Sequence, residues 1–190
     1  MYCLIVDFIL ISIISIISVI CQQTGLQSDV RITRAGNCNM TGLKWNFDNI
    51  TVSYIYPRSF LNMVLNVTEE TKQIKKALVY FDRCNDQGFD CEDFQTWYFD
   101  NFCPMLNWKN QLWSNWTDAL RPKFRCPVRK NIYVGRNITF DYNAFTRWYP
   151  ESIKYHWKIN VKILNERSEL VLCVDFDVHV YQYRKRNRKS

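Results

Sequence analysis

Residues 153–180 read IKYHWKINVKILNERSELVLCVDFDVHV, and this stretch decides the fold class. Two runs alternate strictly between apolar and polar residues, and the polar tetrapeptide 165–168 separates them. Period-two alternation is typical of strands with one buried and one solvated face. The stretch therefore predicts an antiparallel β-hairpin. Its apolar face carries Ile153, Tyr155, Trp157, Ile159, Val161, Ile163, Leu170, Leu172, Val174, Phe176, Val178 and Val180.

The register of this hairpin follows if the turn closes across Glu166 and Arg167. A slip by one residue would turn every side chain to the wrong face, so the pattern specifies the pairing. The predicted pairs are Trp157 with Phe176, Ile159 with Val174, Lys158 with Asp175, and His156 with Asp177.

Other segments extend the sheet. Strands are predicted at 46–56, 60–67, 73–82 and 132–140, with the first of them beginning after Cys38. Between Cys91 and Arg121 the aromatic residues recur at helical spacing, which predicts one or two short helices with Asp90 as the N-cap. We expect a mostly β protein, a β-sandwich or β-cup with a short helical insertion.

Composition excludes several classes of protein. The chain has 190 residues, 47% of them hydrophobic, with only 5 Gly and 5 Pro, so it is neither disordered nor collagen-like. Its formal charge is +7, but five cations lie in the tail 184–189. A nucleic-acid-binding protein would spread its basic residues over one face, so no nucleic-acid partner is predicted.

The N-terminus carries an apolar run at 8–20, which is shorter than the ~20 residues of a membrane-spanning helix. We interpret residues 1–21 as a signal peptide cleaved after Cys21, with an uncleaved anchor as the alternative. One domain at 22–183 and a disordered basic tail at 184–190 follow. A secreted, extracellular protein would make five glycosylation sequons usable, at Asn39, Asn49, Asn66, Asn115 and Asn137.

Cleavage would leave six cysteines in an oxidising compartment, and six cysteines allow 15 pairings. Cys84 and Cys91 enclose a short loop rich in turn formers, which favours a bridge between them. A bridge between Cys38 and Cys173 would tie both ends of the domain, and this leaves Cys103 with Cys126.

The sequence carries few of the patterns that are typical of catalytic or metal-binding sites. The cysteines lack a Cys-x-x-Cys spacing, and the chain has no Gly-x-Ser-x-Gly segment. His156 and Asp177 could form half of a catalytic relay, but no nucleophile accompanies them, and a solvated ion pair explains them better. We therefore predict no enzyme activity, no metal and no cofactor.

The cysteine order, together with the segment Cys126-Pro127-Val128-Arg129-Lys130-Asn131-Ile132-Tyr133, resembles the ganglioside activator-like branch of the ML-type lipid-recognition group. It is closest in pattern to the arthropod chemosensory CheB-like proteins. The resemblance implies a cup whose two sheets admit a lipid, and it implies the pairs Cys38–Cys173, Cys84–Cys91 and Cys103–Cys126. The chain lacks the activator's fourth disulfide and is longer and richer in tryptophan between 93 and 123.

We therefore expect a secreted, non-catalytic protein that carries or presents a lipid or other apolar ligand, for which the CheB resemblance suggests a chemosensory or pheromone hydrocarbon. A membrane surface or a receptor would be a further partner. The alternative is an extracellular co-receptor or ligand module that acts through its surface. Inward aromatics also fill ordinary cores, so the sequence leaves open whether the interior is hollow or filled. The cavity candidates are Tyr155, Trp157, Ile159, Val161, Leu172, Val174, Phe176 and Phe140.

The opening of the cavity has its own candidates, namely Phe89, Trp108, Trp113 and Trp116. A Phe in a six-residue turn has little core to reach, and the tryptophans could instead close the end of the sandwich by plain packing. The basic tail could attract anionic lipid headgroups, although a solvated terminus is the interpretation that we favour.

Overall fold

The computed structural model describes residues 26–56, 58–140, 145, 149 and 151–184. Contacts divide the chain into two compact units, Asp29–Tyr181 and a second unit of Met1–Ser28 with Gln182–Ser190. The core, the disulfides and the cavity described below belong to the first unit. The predicted leader at 1–21 and residues 185–190 of the predicted tail lie outside the described residues. No helix in the described ranges is long and apolar enough to cross a membrane.

Within the described ranges, eight strands form two antiparallel sheets, which confirms the prediction of a mostly β sandwich. The larger sheet has the order β1-β8-β7-β4-β5, and the smaller one has the order β2-β3-β6. The strands are β1 Leu26–Asn37, β2 Trp45–Ile55, β3 Arg58–Val67, β4 Ile74–Cys84, β5 Glu92–Asp100, β6 Asn131–Ile138, β7 His156–Asn165 and β8 Leu170–Arg184.

The hairpin of β7 and β8 forms as predicted, but its register is displaced by two residues. Trp157 faces Val178, Ile159 faces Phe176, and Lys158 faces Asp177. His156 faces His179, so the predicted pairing of His156 with Asp177 was wrong. Because the displacement is an even number, each strand still turns its apolar residues toward the core.

Two local features together produce the two-residue displacement of the β7–β8 register. The turn has three residues rather than two, since Asn165 N donates to Glu169 O at 3.0 Å and Ser168 adopts a left-handed conformation with φ 63°. The pairing then shifts between Ile163 and Leu164, where Val171 is the extra residue of β8. A three-residue loop alone would have reversed the faces, and the bulge restores them.

The first strand was missed by the sequence prediction, which placed the start of the sheet after Cys38. β1 precedes that cysteine and buries Val30 and Ile32 while exposing Arg31 and Thr33. This alternation is visible in the sequence, but it covers too few residues to stand out beside the apolar run at 8–20.

The segment Glu92–Asp100 is strand β5, so the prediction of a helix with Asp90 as its N-cap was wrong for this segment. β5 pairs with β4, and the Cys84–Cys91 bridge closes the tight loop that connects the two strands. Trp97 and Phe99 are half-buried while Tyr98 between them is 67% exposed, which is strand periodicity. The register shifts between Phe81 and Asp82, where Phe94 is the extra residue of β5. This bulge breaks the alternation, and the remaining aromatic spacing imitates that of a helix.

The second part of the predicted helical region is helical. A 3-10 turn spans Pro104–Asn107, and a short α-helix, α1, spans Ser114–Ala119. Both lie in the insertion, which we define as residues 101–130 between β5 and β6.

Three disulfides form among the described cysteines, and they join the pairs that the resemblance implied. Cys38 bonds to Cys173, Cys84 to Cys91, and Cys103 to Cys126. The third bridge closes the insertion at its base.

Candidate functional site

The candidate site is a cavity of about 140 Å³ between the two sheets. Its wall is apolar apart from one threonine, and it draws on both sheets and on the insertion. The strands contribute Trp45, Phe47, Met63, Leu65, Ile74, Ala77, Val79, Phe81, Trp97, Phe99, Ile159, Val161, Ile163, Leu172 and Phe176. The insertion contributes Phe102, Leu106, Leu112, Trp113, Trp116, Thr117, Leu120 and Phe124, and Phe140 follows β6.

Strand periodicity places the wall residues of the larger sheet. Alternate side chains of a strand point to the same face, so Ala77, Val79 and Phe81 of β4 line one side of the cavity together. On neighbouring β7, Ile159 and Val161 occupy the positions that face Phe81 and Val79.

A β-bulge in β2 keeps the apolar residues of both halves of this strand on the core side of the smaller sheet. Trp45 and Phe47 are buried, and the pairing with β3 shifts between Phe47 and Asn49. The extra residue brings Ile50 and Val52 to the same side as Trp45 and Phe47, where they pack against the core. Without that bulge, the two halves of β2 would face opposite ways.

The insertion bridges the gap between edge strands β5 and β6. On the β5 side, the ring of Trp113 lies 5.3 Å from that of Phe99 and 4.9 Å from that of Phe102. On the β6 side, Arg121 and Val134 exchange backbone hydrogen bonds of 2.9 and 2.7 Å. The insertion therefore forms one side wall of the cavity.

On the opposite side of the sandwich, polar contacts join β1 of the larger sheet to the smaller sheet. The side-chain amide of Asn37 donates to Phe47 O at 2.8 Å and accepts from Phe47 N at 3.0 Å, which ties β1 to β2. Ile32 N donates to the hydroxyl of Ser59 at 3.2 Å. The half-buried wall residues Trp97, Phe99 and Trp113 instead lie where the insertion meets β5, so the wall reaches solvent on that side.

Among the residues that the structure describes, no charged side chain belongs to the cavity wall. Its one polar side chain, Thr117, is buried, with its hydroxyl within 3.2–3.3 Å of the carbonyls of Leu106, Trp113 and Ser114. An ionised group inside such a wall would lose its hydration without compensation. The cavity therefore suits uncharged, mainly apolar molecules.

The structure places five of the eight sequence-predicted cavity residues on the wall, namely Ile159, Val161, Leu172, Phe176 and Phe140.

The other three lie elsewhere. Trp157 is buried under Phe145 and Tyr149, with ring distances of 5.7 and 5.5 Å. Val174 is fully buried in the packed part of the core. Tyr155 lies before β7, half-buried beneath the guanidinium of Arg83 at 4.7 Å.

The four predicted rim residues separate into two pairs. Trp113 and Trp116 are half-buried and line the cavity. Phe89 and Trp108 are 69% and 51% exposed and do not belong to the wall. A border role for Phe89 and Trp108 therefore has no support from the geometry of the wall.

Sequence reasoning missed Trp45 and Phe47 as wall residues, as well as Trp97 and Phe99. Trp45 and Phe47 alternate with Asn46 and Asp48, which is a short strand signal that could have found them. The sequence predicts a helix that includes Trp97, and a helix would not turn Trp97 and Phe99 to the same face as strand β5 does.

The outer face of the larger sheet carries the histidines. The rings of His156 and His179 lie 6.0 Å apart, and burial is the main cause that lowers the pKa of His156, against the charge of Asp177. Among the described residues, no group of three or more His, Cys, Asp or Glu side chains could hold a metal ion.

The sequons other than that at Asn66 have exposed asparagines. Asn66 is half-buried, and the Asn115 amide donates to Thr139 O at 3.0 Å. Their glycosylation stays a prediction.

No family model and no curated protein sequence matches this chain. Among solved structures, the fold is similar to that of chicken MD-1 complexed with lipid IVa, at 16% sequence identity and a TM-score of 0.34. The alignment covers 83% of this chain and 91% of that chain. At this identity, the likeness concerns the fold alone.

Proposed function

We propose that this protein is a secreted, non-catalytic binding protein that holds an apolar ligand between its two sheets. The observation that carries the proposal is the cavity, whose wall, as far as the described residues form it, is almost wholly apolar and uncharged. A fully packed sandwich would leave no such space, because protein interiors contain few voids larger than a water molecule.

The cavity volume limits the ligand. An engineered apolar cavity of ~150 Å³ binds benzene, whereas sites for drug-sized molecules begin at ~300 Å³. At about 140 Å³, this cavity suits one small hydrocarbon or the end of a single hydrocarbon chain. A larger lipid would require the insertion to move away from β5. A lipid tail and a chemosensory hydrocarbon, the ligands implied by the resemblance to CheB-like proteins, both meet the apolar requirement.

Secretion is part of the proposal. The three disulfides favour an oxidising compartment, which agrees with the proposed signal peptide and extracellular location. A membrane surface or a receptor would then be the donor or acceptor of the ligand.

The test is calorimetric titration of the full chain with n-hexane. We expect saturable binding to one site, with the negative heat-capacity change that accompanies burial of apolar surface. Ala77→Leu places a larger side chain on the wall and should weaken binding at least tenfold. Ala35→Leu is the matched control, because Ala35 is half-buried against the core but lies off the wall, and it should leave binding unchanged.

The alternative function is an extracellular co-receptor or ligand module that acts through its surface. Exposed apolar residues at the β2–β3 turn favour it, since Ile55 and Tyr56 are 67% and 66% exposed. A protein that binds neither n-hexane nor any co-purifying apolar molecule would support this alternative.

A further inference from the structure

We propose that the basic segment, which we define as residues 121–130 of the insertion, binds a sulfated polysaccharide of the cell surface or the extracellular matrix. The proposal rests on the secreted location that is part of the proposed function, but it does not rest on the cavity. It would give the protein a place of attachment in addition to a ligand.

The basic segment concentrates positive charge. It reads RPKFRCPVRK, with five cations and no Asp or Glu. All five cations are exposed, namely Arg121, Lys123, Arg125, Arg129 and Lys130. Runs rich in Lys and Arg over about five to eight residues are typical of sites for heparin and other polyanions. The segment therefore has the charge pattern of a polyanion site.

Several contacts hold the backbone of the basic segment in place. At its start, Arg121 and Val134 exchange backbone hydrogen bonds of 2.9 and 2.7 Å. Near its end, Val128 and Thr71 exchange two more, of 2.8 and 2.9 Å. Between these points, the third disulfide fixes Cys126. The cations therefore project from a fixed backbone, which loses less conformational entropy on binding than a flexible one.

The charges of the segment are available to a partner. Phe124 and Val128 are buried, whereas the cations beside them are exposed. Among the described residues, the last four of the five cations form no ion pair. Asp118, which precedes the segment, is already paired with Lys109 at 2.6 Å. Glu70 lies one residue before the backbone partner of Val128, and the cations of the segment outnumber it.

The chemistry of the segment favours sulfate groups on a linear chain. Arginine presents parallel N–H donors to the oxygens of a tetrahedral anion, and lysine adds a compact charge. A membrane site would add large exposed apolar side chains beside the cations. In this segment the large apolar side chains are buried, and the exposed apolar residues are Pro122 and Pro127. A fixed row of cations instead suits charges that repeat along a polysaccharide.

The test measures binding of the secreted protein to immobilised heparin at physiological salt, with two variants that lose the same charge. The segment variant combines Lys123→Gln, Arg125→Gln, Arg129→Gln and Lys130→Gln. The tail variant is the matched control and combines Arg184→Gln, Lys185→Gln, Arg186→Gln and Arg188→Gln. Because one exposed ion pair changes affinity by about threefold, the segment variant should bind heparin about tenfold more weakly or worse, and the tail variant should stay within about twofold. Unchanged n-hexane binding in both variants would show that they are folded.

A second measurement uses the unmodified sequence and does not depend on the folding of a variant. Bound heparin should protect Lys123 and Lys130 from acetylation, and it should leave Lys158 reactive, since Lys158 is exposed on β7 of the larger sheet. Equal losses of affinity in the two variants, or protection that misses Lys123 and Lys130, would overturn the proposal.

Two further outcomes separate this proposal from other interpretations. Binding to phosphatidylserine vesicles without binding to heparin would overturn it in favour of a membrane surface. Failure of the unmodified protein to bind n-hexane would instead overturn the proposed function, and a positive heparin result would stand.

Discussion

Ala77→Leu distinguishes a hollow sandwich from a filled one through the sign of its effect on stability. Ala77 is 2% exposed and lies on the cavity wall in β4. Leucine adds three carbon groups, and burial of each is worth ~0.8 kcal/mol. Loss of leucine rotamer freedom offsets ~0.5–1 kcal/mol. We therefore expect the free energy of unfolding to rise by ~1–2 kcal/mol if the new side chain fills the cavity.

The assay is equilibrium unfolding in urea with the disulfides intact, where a higher midpoint at an unchanged slope reports added stability. Val174→Phe is the control for a filled region, because Val174 is fully buried and lies off the wall. Overpacking there should destabilise the protein by ~1–3 kcal/mol. A loss of stability in Ala77→Leu as large as that in Val174→Phe would refute the reasoning, since it would show that no space exists beside Ala77.

Three further predictions concern residues that do not line the cavity. Replacing Cys103 and Cys126 together by serine should lower the free energy of unfolding by ~3.5 kcal/mol, the value of the chain-entropy model for a sequence separation of 23. A loss below ~1 kcal/mol in urea unfolding would show that the bridge does not stabilise the base of the insertion. Burial lowers the pKa of His156, so the unfolded state binds more protons and stability should fall as the pH drops below ~6.5, which is the unfolded pKa of histidine. His156→Gln should make this fall smaller between pH 7.5 and 5.5, and an identical pH dependence in the variant would contradict the assignment. In Gly135→Ala, the added Cβ would lie 2.6 Å from Ile138 Cδ1 in a buried part of β6, so a loss of ~1–3 kcal/mol is expected, and unchanged thermal unfolding would disprove the close contact.

The sheet content could be predicted because alternation is a local property of the chain. β7 and β8 carry their pattern over at least ten residues each, and the faces that they bury follow directly from it. The register could not be derived in the same way. It depends on the third turn residue and on the bulge at Val171, and both leave the apolar pattern of each strand unchanged.

The sequence predicts a helix in place of β5 because the aromatic residues satisfy both spacings. Phe94, Trp97, Tyr98 and Phe102 fit a helix, and Trp97 with Phe99 fits a strand equally well. Pairing with β4 decides between the two patterns, and that pairing is a tertiary contact. An edge strand with one exposed face gives a weak local signal.

The cavity could be predicted only in part. Ile159, Val161, Leu172 and Phe176 lie on the wall because their strands turn them inward. Trp157 obeys the same rule, but residues 145 and 149 cover it. Whether an inward residue meets a neighbour or a void depends on the volumes of side chains from several elements, and no single pattern encodes that sum.

The most direct test of an apolar ligand site between the sheets is native mass spectrometry of the protein as it is purified from the medium of expressing cells. We predict a population carrying one bound apolar molecule per chain in the unmodified protein. That population should be strongly reduced in Ala77→Leu and retained in Ala35→Leu. A ligand-free protein that also fails to bind added n-hexane, or a bound molecule that Ala77→Leu does not affect, would contradict the account.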